Sequence, residues 1–198
     1  MARTQARDFE ERRTRIVERA AELYASRGFL GASLSDLADA CSTSKSLIYH
    51  YFASKEDILF EVMHGHVSAL LEAAERIVRG GGTARDKLNA ITLAFIALYV
   101  GAAARHKVLL NELNNLPPDR RADVVSIQRK LIAIVEKLIG EIAPSLGRPS
   151  PLARPAAMLY FGMINWTHTW LDPGGRVEPE RIAALAVEIF LDGVATAK

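Results

Sequence analysis

The chain has 198 residues, 49% hydrophobic and 24% charged, with a net charge of +2 at pH 7 and five histidines. Its one cysteine, Cys41, excludes an internal disulfide framework and fits a reducing, cytoplasmic setting. The N-terminal stretch MARTQARDFEERRTR lacks the apolar core of a secretory signal. The longest apolar run, residues 90–104, is shorter than the ~18 residues of a membrane span and meets Arg105-His106-Lys107, so no membrane partner is expected.

Helical periodicity dominates from end to end, with no hairpin signal, so the fold class is all-α with about nine helices. The first helix is expected over about residues 8–27, its inner stripe made by Ile16, Ala20, Leu23 and Tyr24, with Gly28 as its C-cap. Ser33 and Asp36 form a capping box for a brief second helix over about residues 34–41. Ser42-Thr43 makes a turn, and Ser44 caps a third helix over about residues 45–51. Ser54 and Asp57 open a long fourth helix that runs to Gly80-Gly81-Gly82. Beyond the glycines, helices are expected over about residues 83–104, 107–114, 119–142, 152–171 and 180–196, separated by NNLPPDRR, PSLGRPSP and DPGGRVEP. The division is an N-terminal domain of residues 1–53 and a C-terminal domain of residues 54–198.

Two short helices joined by a tight turn behind a longer one match a three-helix helix-turn-helix. In that motif the second short helix enters the major groove of double-stranded DNA with its N-terminal residues. Here these are Ser44, Lys45, Ser46 and Leu47, whose hydroxyls, ammonium and methyls suit base edges, phosphates and the thymine methyl. Tyr49 and His50 are candidate phosphate donors, and Lys55 sits where a flanking phosphate would lie. Ser33 and Ser35, at the start of the second helix, complete the candidate DNA-binding set. Tyr51 and Phe52 are expected to point inward and lock the third helix onto the first. Arg3 and Arg7 are candidates for an arm along the backbone or minor groove. The other arginines of helix one are interleaved with acids and read equally well as salt-bridged surface.

The run SRGFLGASLSDLADACSTSKSLIYHYFASKEDIL, Ser26 to Leu59, resembles the N-terminal domain of the tetracycline-repressor (TetR) family. It departs from the family pattern at Ser42 and Ser46, where glycine is frequent, and at Leu47, where threonine is common, so no operator sequence carries over. The resemblance implies a homodimeric, ligand-responsive DNA-binding repressor that pairs through its last two helices. The residues support that pairing independently: PAAMLYFGMINWTHTWL is apolar on nearly every side, and Ala156, Ala157 and Gly162 permit close approach. Two-fold symmetry then presents two reading helices roughly 34 Å apart, or a multiple, to a near-palindromic site.

An effector pocket is expected between helices of the second domain. Candidate lining residues are Met63, His66, Phe95, Tyr99, Leu110, Leu113, Tyr160, Met163, Ile164, Trp166 and Trp170, although each reads equally as core. The segment from Gly162 to Gly193 is similar to the C-terminal part of TetR members controlling fatty-acid, aromatic-acid or steroid-ring degradation, which often sense acyl-coenzyme A thioesters. That resemblance implies an acyl-CoA effector, with Arg105, His106, Lys107, Arg148, Arg154 and Arg176 as candidate phosphate partners. A hydrophobic drug-like or aromatic effector is the alternative.

An enzyme is not expected. His64 and His66 are two apart and diverge on a helix, unlike the i, i+4 pair of a metalloprotease, and no nucleophile elbow or phosphate-binding glycine loop is present. No cofactor and no metal are expected, and Cys41 reads as a small packed group. A helical adaptor that binds protein through its helix-turn-helix is the rival from a different class. The lysines, rings and hydroxyls around Ser44 to Lys55 favour DNA.

Overall fold

The computed structural model describes the backbone of residues 2–172 and 174–196, and the side chains of residues 7–172 and 174–193. Among the described residues every regular element is a helix and no strand occurs. Its elements are α1 (Ala2–Arg27), α2 (Leu34–Ala40), α3 (Lys45–Tyr51), α4 (Lys55–Arg79), α5 (Ala84–Gly101), α6 (Ala103–Asn111), α7 (Pro118–Ile142), α8 (Ala153–Asn165) and α9 (Pro179–Thr196), with short 3-10 turns at Leu113–Asn115, Pro144–Leu146 and Trp166–Thr169.

The end of α1 and the starts of α2, α3 and α4 follow from local chemistry. Gly28 ends α1 at φ 75°, a left-handed conformation that glycine adopts without steric cost. Ser33 and Asp36 make the full capping box of α2, the Ser33 amide donating to Asp36 Oδ2 at 2.8 Å and the Asp36 amide to Ser33 Oγ at 3.1 Å. The Ser44 hydroxyl accepts from the Leu47 amide at 3.2 Å, and the Ser54 hydroxyl from the Asp57 amide at 3.0 Å.

The turn between α2 and α3 needs a left-handed residue, and here that residue is Ser42, with φ 51°. A β-carbon is disfavoured there, so Ser42→Gly is expected to stabilise the protein by about 0.5–1 kcal/mol. A thermal melt reads this directly. A midpoint that falls rather than rises would show that the serine is held by something other than the turn.

Later helices break where composition gave less warning. The single helix expected over about residues 83–104 ends at Gly101, because Ala102 leaves helical geometry at φ −137° and ψ 44°. The helix expected to reach residue 171 stops at Asn165 and tightens into the 3-10 turn Trp166–Thr169.

The chain forms two compact units, Met1–Val67 with Ala104–Val125, and Ser68–Ala103 with Ser126–Lys198. The first contains the whole of the expected 1–53 domain together with the early part of α4, most of α6 and the start of α7. Its core is built on Tyr24, Leu37, Ile48, Ile58, Leu59 and Met63. In the second unit α5 packs chiefly on α9, around Leu88, Phe95, Ile139 and Tyr160. No single helix among the described residues is long and apolar enough to cross a membrane.

Candidate DNA-reading surface and effector region

α3 is only seven residues long, too short to hold its own shape in water, so neighbours must fix it. Ile48 and Phe52, one turn apart, are buried, and the Arg13 guanidinium lies 5.1 Å from the Phe52 ring centroid while bonding Glu61 at 2.8 Å. The Tyr51 ring lies 4.5 Å from that of Phe9 on α1. The expectation that Tyr51 and Phe52 fasten this helix to α1 agrees with these contacts. The opposite face carries Ser44, Lys45, Ser46, Tyr49 and His50, all exposed, with Leu47 half-buried at its edge. A short helix braced by rings on one side and studded with hydroxyls and cations on the other can be pressed into a groove without losing its own packing.

Three candidates sit differently from this face. Ser33 is occupied as the cap of α2, where its hydroxyl also bonds Asp36, and Ser35 is half-buried. The Lys55 ammonium turns inward: it bonds the Phe29 carbonyl and lies 4.1 Å from the Phe29 ring centroid, and this burial lowers its pKa. That contact spans 26 residues of sequence and had no local signal. On α1, Arg7 pairs with Glu11 at 2.8 Å and Arg19 with Glu22 at 2.8 Å, which is the salt-bridged surface the interleaved charges suggested. Arg12 and Arg15 have no ion pair among the described residues, and the side chain of Arg3 lies outside them.

The effector candidates divide between the two units. In the first, Met63 and His66 are buried, Leu113 is half-buried and Leu110 is exposed. In the second, Phe95, Tyr99, Tyr160 and Ile164 are buried. Three hydroxyl bonds run through that apolar interior. Tyr160 donates to Thr92 Oγ1 at 2.6 Å while Thr92 donates to the Leu88 carbonyl, and Tyr99 donates to Asn165 Oδ1 at 2.8 Å. Burial raises the pKa of both tyrosines, so they stay protonated donors. Met163 is half-buried, and Trp166 and Trp170 lie on the surface.

His66 bonds His106, a pairing the sequence did not indicate. His66 Nε2 lies 3.2 Å from His106 Nδ1, with both rings buried. One imidazole must donate and the other accept, so the bond fails when both rings are charged, and burial opposes charging either one. Burial, with the Arg105 charge adding to it, pushes the His66 pKa down from 6.5 to about 4. The unfolded chain therefore binds a proton that the folded chain refuses between those two values. Stability from this group is complete above the ordinary histidine pKa and is lost as pH falls toward 4, by up to about 3 kcal/mol. Denaturant midpoints should fall between pH 7 and pH 5, and His66→Gln should flatten that dependence. An unchanged slope in the variant would remove His66 as its source.

The candidate cations fall into distinct settings. His106 is buried, Arg105 lies 3.7 Å from Glu18, and Lys107 and Arg176 are exposed. Only Arg148 and Arg154 converge, both on Glu136. The sequence reading also missed Arg120, which reaches Asp57 at 3.3 Å and lies 4.5 Å from the Phe60 ring centroid. Among the described residues no three His, Cys, Asp or Glu side chains are grouped as a metal would require.

α8 and α9 leave a large apolar face uncovered. Leu159 is 71% exposed and Ile189 59%, and Leu152, Met158 and Leu185 are exposed with them. A groove of about 450 Å³ on this face is lined by Pro155, Leu159, Met163, Ile189 and Phe190 among others. Contiguous apolar surface of this kind marks an interaction site in a soluble protein.

Comparison with known proteins gives a consistent picture. Residues 16–62 match the family model for bacterial regulatory proteins of the tetR family, and residues 81–194 match that for the tetracyclin repressor-like C-terminal domain. The chain is 26% identical over 187 residues to the HTH-type transcriptional repressor KstR2 of Rhodococcus jostii strain RHA1, covering 93% of this chain and 92% of that protein. A TetR-family transcriptional regulator from Bordetella parapertussis superposes with a TM-score of 0.88 at 38% identity, over 94% of this chain and 97% of that one. AibR, solved in complex with isovaleryl coenzyme A and operator DNA, superposes with a TM-score of 0.78 at 28% identity, over 90% of this chain and 97% of that one.

Proposed function

Because this chain belongs to the tetR family of bacterial regulatory proteins, whose members are DNA-binding transcriptional regulators, we propose that it is a homodimeric repressor released from its operator by an acyl-coenzyme A thioester. The observation that carries the DNA-binding part is the exposed start of α3, Ser44 to Ser46, braced from behind by Ile48 and Phe52. A hydroxyl–ammonium–hydroxyl run at a helix start matches the phosphates and base edges of a major groove. The exposed α8 and α9 face is the proposed seam of the dimer, since pairing would cover Leu159 and Ile189 and give two reading heads related by symmetry.

The effector reading rests on the aromatic interior of the second unit and on the likeness to AibR, which binds isovaleryl coenzyme A. Phe95 and Tyr160 offer apolar surface to an acyl group, and the Tyr99 hydroxyl, which here donates to Asn165 Oδ1, would reach a thioester carbonyl only by exchanging that bond for the new one. Binding shifts a pre-existing equilibrium toward the state in which the reading heads are wrongly spaced. A ligand moves that equilibrium only by its preference for one state. A hundredfold preference corresponds to about 2.7 kcal/mol, comparable with one or two good base contacts.

Isothermal titration against acyl-CoAs of increasing chain length, with the matching free acids, tests the effector. Thioesters should bind more tightly than the acids and lower operator affinity about a hundredfold. Equal binding of acids and thioesters, or none, would overturn the acyl-CoA assignment and leave an apolar or aromatic effector in its place.

A further inference from the structure

We propose that Arg148 and Arg154, gathered on the buried Glu136 carboxylate beside a cleft of about 450 Å³, form an anion site for the phosphate-bearing nucleotide end of a ligand. Glu136 lies on the second half of α7 with its side chain only 4% exposed. Burying a carboxylate is costly and is tolerated only where cations or donors meet it. Both cations reach it from outside: Arg148 Nε donates to Oε1, and Arg154 Nη1 approaches Oε2 at 3.8 Å without a hydrogen bond. Their own side chains are 77% and 46% exposed. Each guanidinium therefore spends one nitrogen or less on the carboxylate and leaves its remaining donors to solvent. Arg148, hydrogen-bonded to a buried carboxylate, loses little freedom when it then binds an anion, and Arg154, drawn to the same carboxylate by charge alone, supplies a second fork for a phosphate.

The cleft beside them has a floor of low relief. Ala133, Gly140, Pro144 and Gly147 line it, and the two glycines touch, since a β-carbon on Gly140 would lie 2.7 Å from Gly147 Cα. That contact sets the turn before Arg148 flush against α7. Lys137 and Arg148 line the cleft with the carboxylates Glu136 and Glu141, and Arg154 adjoins it through Glu136. A floor of small and apolar residues leaves room for a purine ring, and the cations beside it suit the phosphates it carries. A clasp that merely tied the turn to α7 would need Arg148 alone. It accounts neither for the second arginine on the same carboxylate nor for the open cleft. The identity of the ligand rests on the thioester reading above, because coenzyme A ends in such a nucleotide.

The test is titration of the full chain with ADP, adenosine, inorganic phosphate and coenzyme A, followed by isothermal titration or NMR. ADP and coenzyme A should saturate the site, with adenosine and phosphate at least about tenfold weaker. Arg148→Gln and Arg154→Gln should each weaken ADP about tenfold. Pairing Arg148→Gln with Glu136→Gln removes the buried charge along with its partner, so this double variant should melt like the parent yet still lose ADP. Unsaturable ADP binding, or affinity unchanged in the arginine variants, overturns the site. Acyl-CoA bound with parental affinity by both arginine variants overturns it too, while the effector reading stands. Arginine-dependent ADP binding in a protein whose operator complex no acyl-CoA dissolves upholds the site and sinks the effector reading.

Discussion

Replacing Leu159 by aspartate is expected to give a folded monomer that has lost operator affinity by about a hundredfold or more. Leu159 is 71% exposed on α8, so nothing in the chain's own core depends on it. On the proposed dimer it lies on a two-fold seam, and one substitution places a carboxylate in both copies of the interface. Each carboxylate would be desolvated without a cation to meet it, and the two would face each other across the axis. The neighbours Leu152, Met158, Leu185 and Ile189 offer no compensating charge. Sedimentation should show a monomer at concentrations where the parent is dimeric, with helical content and melting behaviour close to the parent. Operator affinity collapses because each head alone must hold the duplex without the effective concentration supplied by its partner. A variant that remains dimeric would place the seam elsewhere on the molecule.

The second large effect is expected at Lys45. Lys45→Ala should weaken operator binding by about tenfold to a hundredfold, because the dimer loses the contact twice. If Lys45 meets phosphate, the slope of log affinity against log salt should fall by about one per head, and the loss should be similar on specific and random duplexes. If it reads a base edge, discrimination falls instead and the slope stays. Either outcome seats α3 in the groove, and an unchanged affinity on all duplexes removes it. Lys55→Met is the informative contrast. Its ammonium bonds the Phe29 carbonyl and lies against that ring, so the variant should lose about 1–2 kcal/mol of stability with little change in salt slope.

The contrast between these two lysines shows where a linear reading works. α2 and α3 were legible almost to the residue because their ends are set by local chemistry: Gly28, the Ser33–Asp36 box, and the hydroxyls of Ser44 and Ser54 act within three or four positions. The aromatic run likewise marked Tyr51 and Phe52 as inward, with Lys45 and Tyr49 facing out, although Ile48, buried beside Phe52, was not singled out. Lys55 was read by its place next to the motif, yet its partner Phe29 is 26 positions away and becomes visible only when the loop after α1 packs on the start of α4. The same limit hid the bond between His66 and His106, 40 positions apart, and the convergence of Arg148 and Arg154 on Glu136. The break at Ala102 was missed for a different reason. The alanines that follow it, Ala103 and Ala104, are strong helix formers, no proline marks the stop, and a lone Gly101 before it was read as part of a continuous helix.

Coupling between effector and DNA is the remaining physical question. α4 begins next to the reading helix, where Asp57 in its first turn meets Arg120 of α7, and it continues to Arg79. A displacement of the start of α7 would be felt at that first turn through Arg120, and one of α6 further along α4 through the His66–His106 bond, all within the first compact unit. On the proposed reading, these are the contacts through which a shift of α6 or α7 would reach the base of α3.

Selection of bound duplexes from a random pool addresses the central claim most directly. Enriched sequences should be near-palindromes whose half-sites lie about one helical turn apart, or a multiple, and the Lys45→Ala chain should fail to enrich them. A pool that emerges unenriched at moderate salt, or one enriched for a single unrepeated half-site, would contradict a paired reader built on α3.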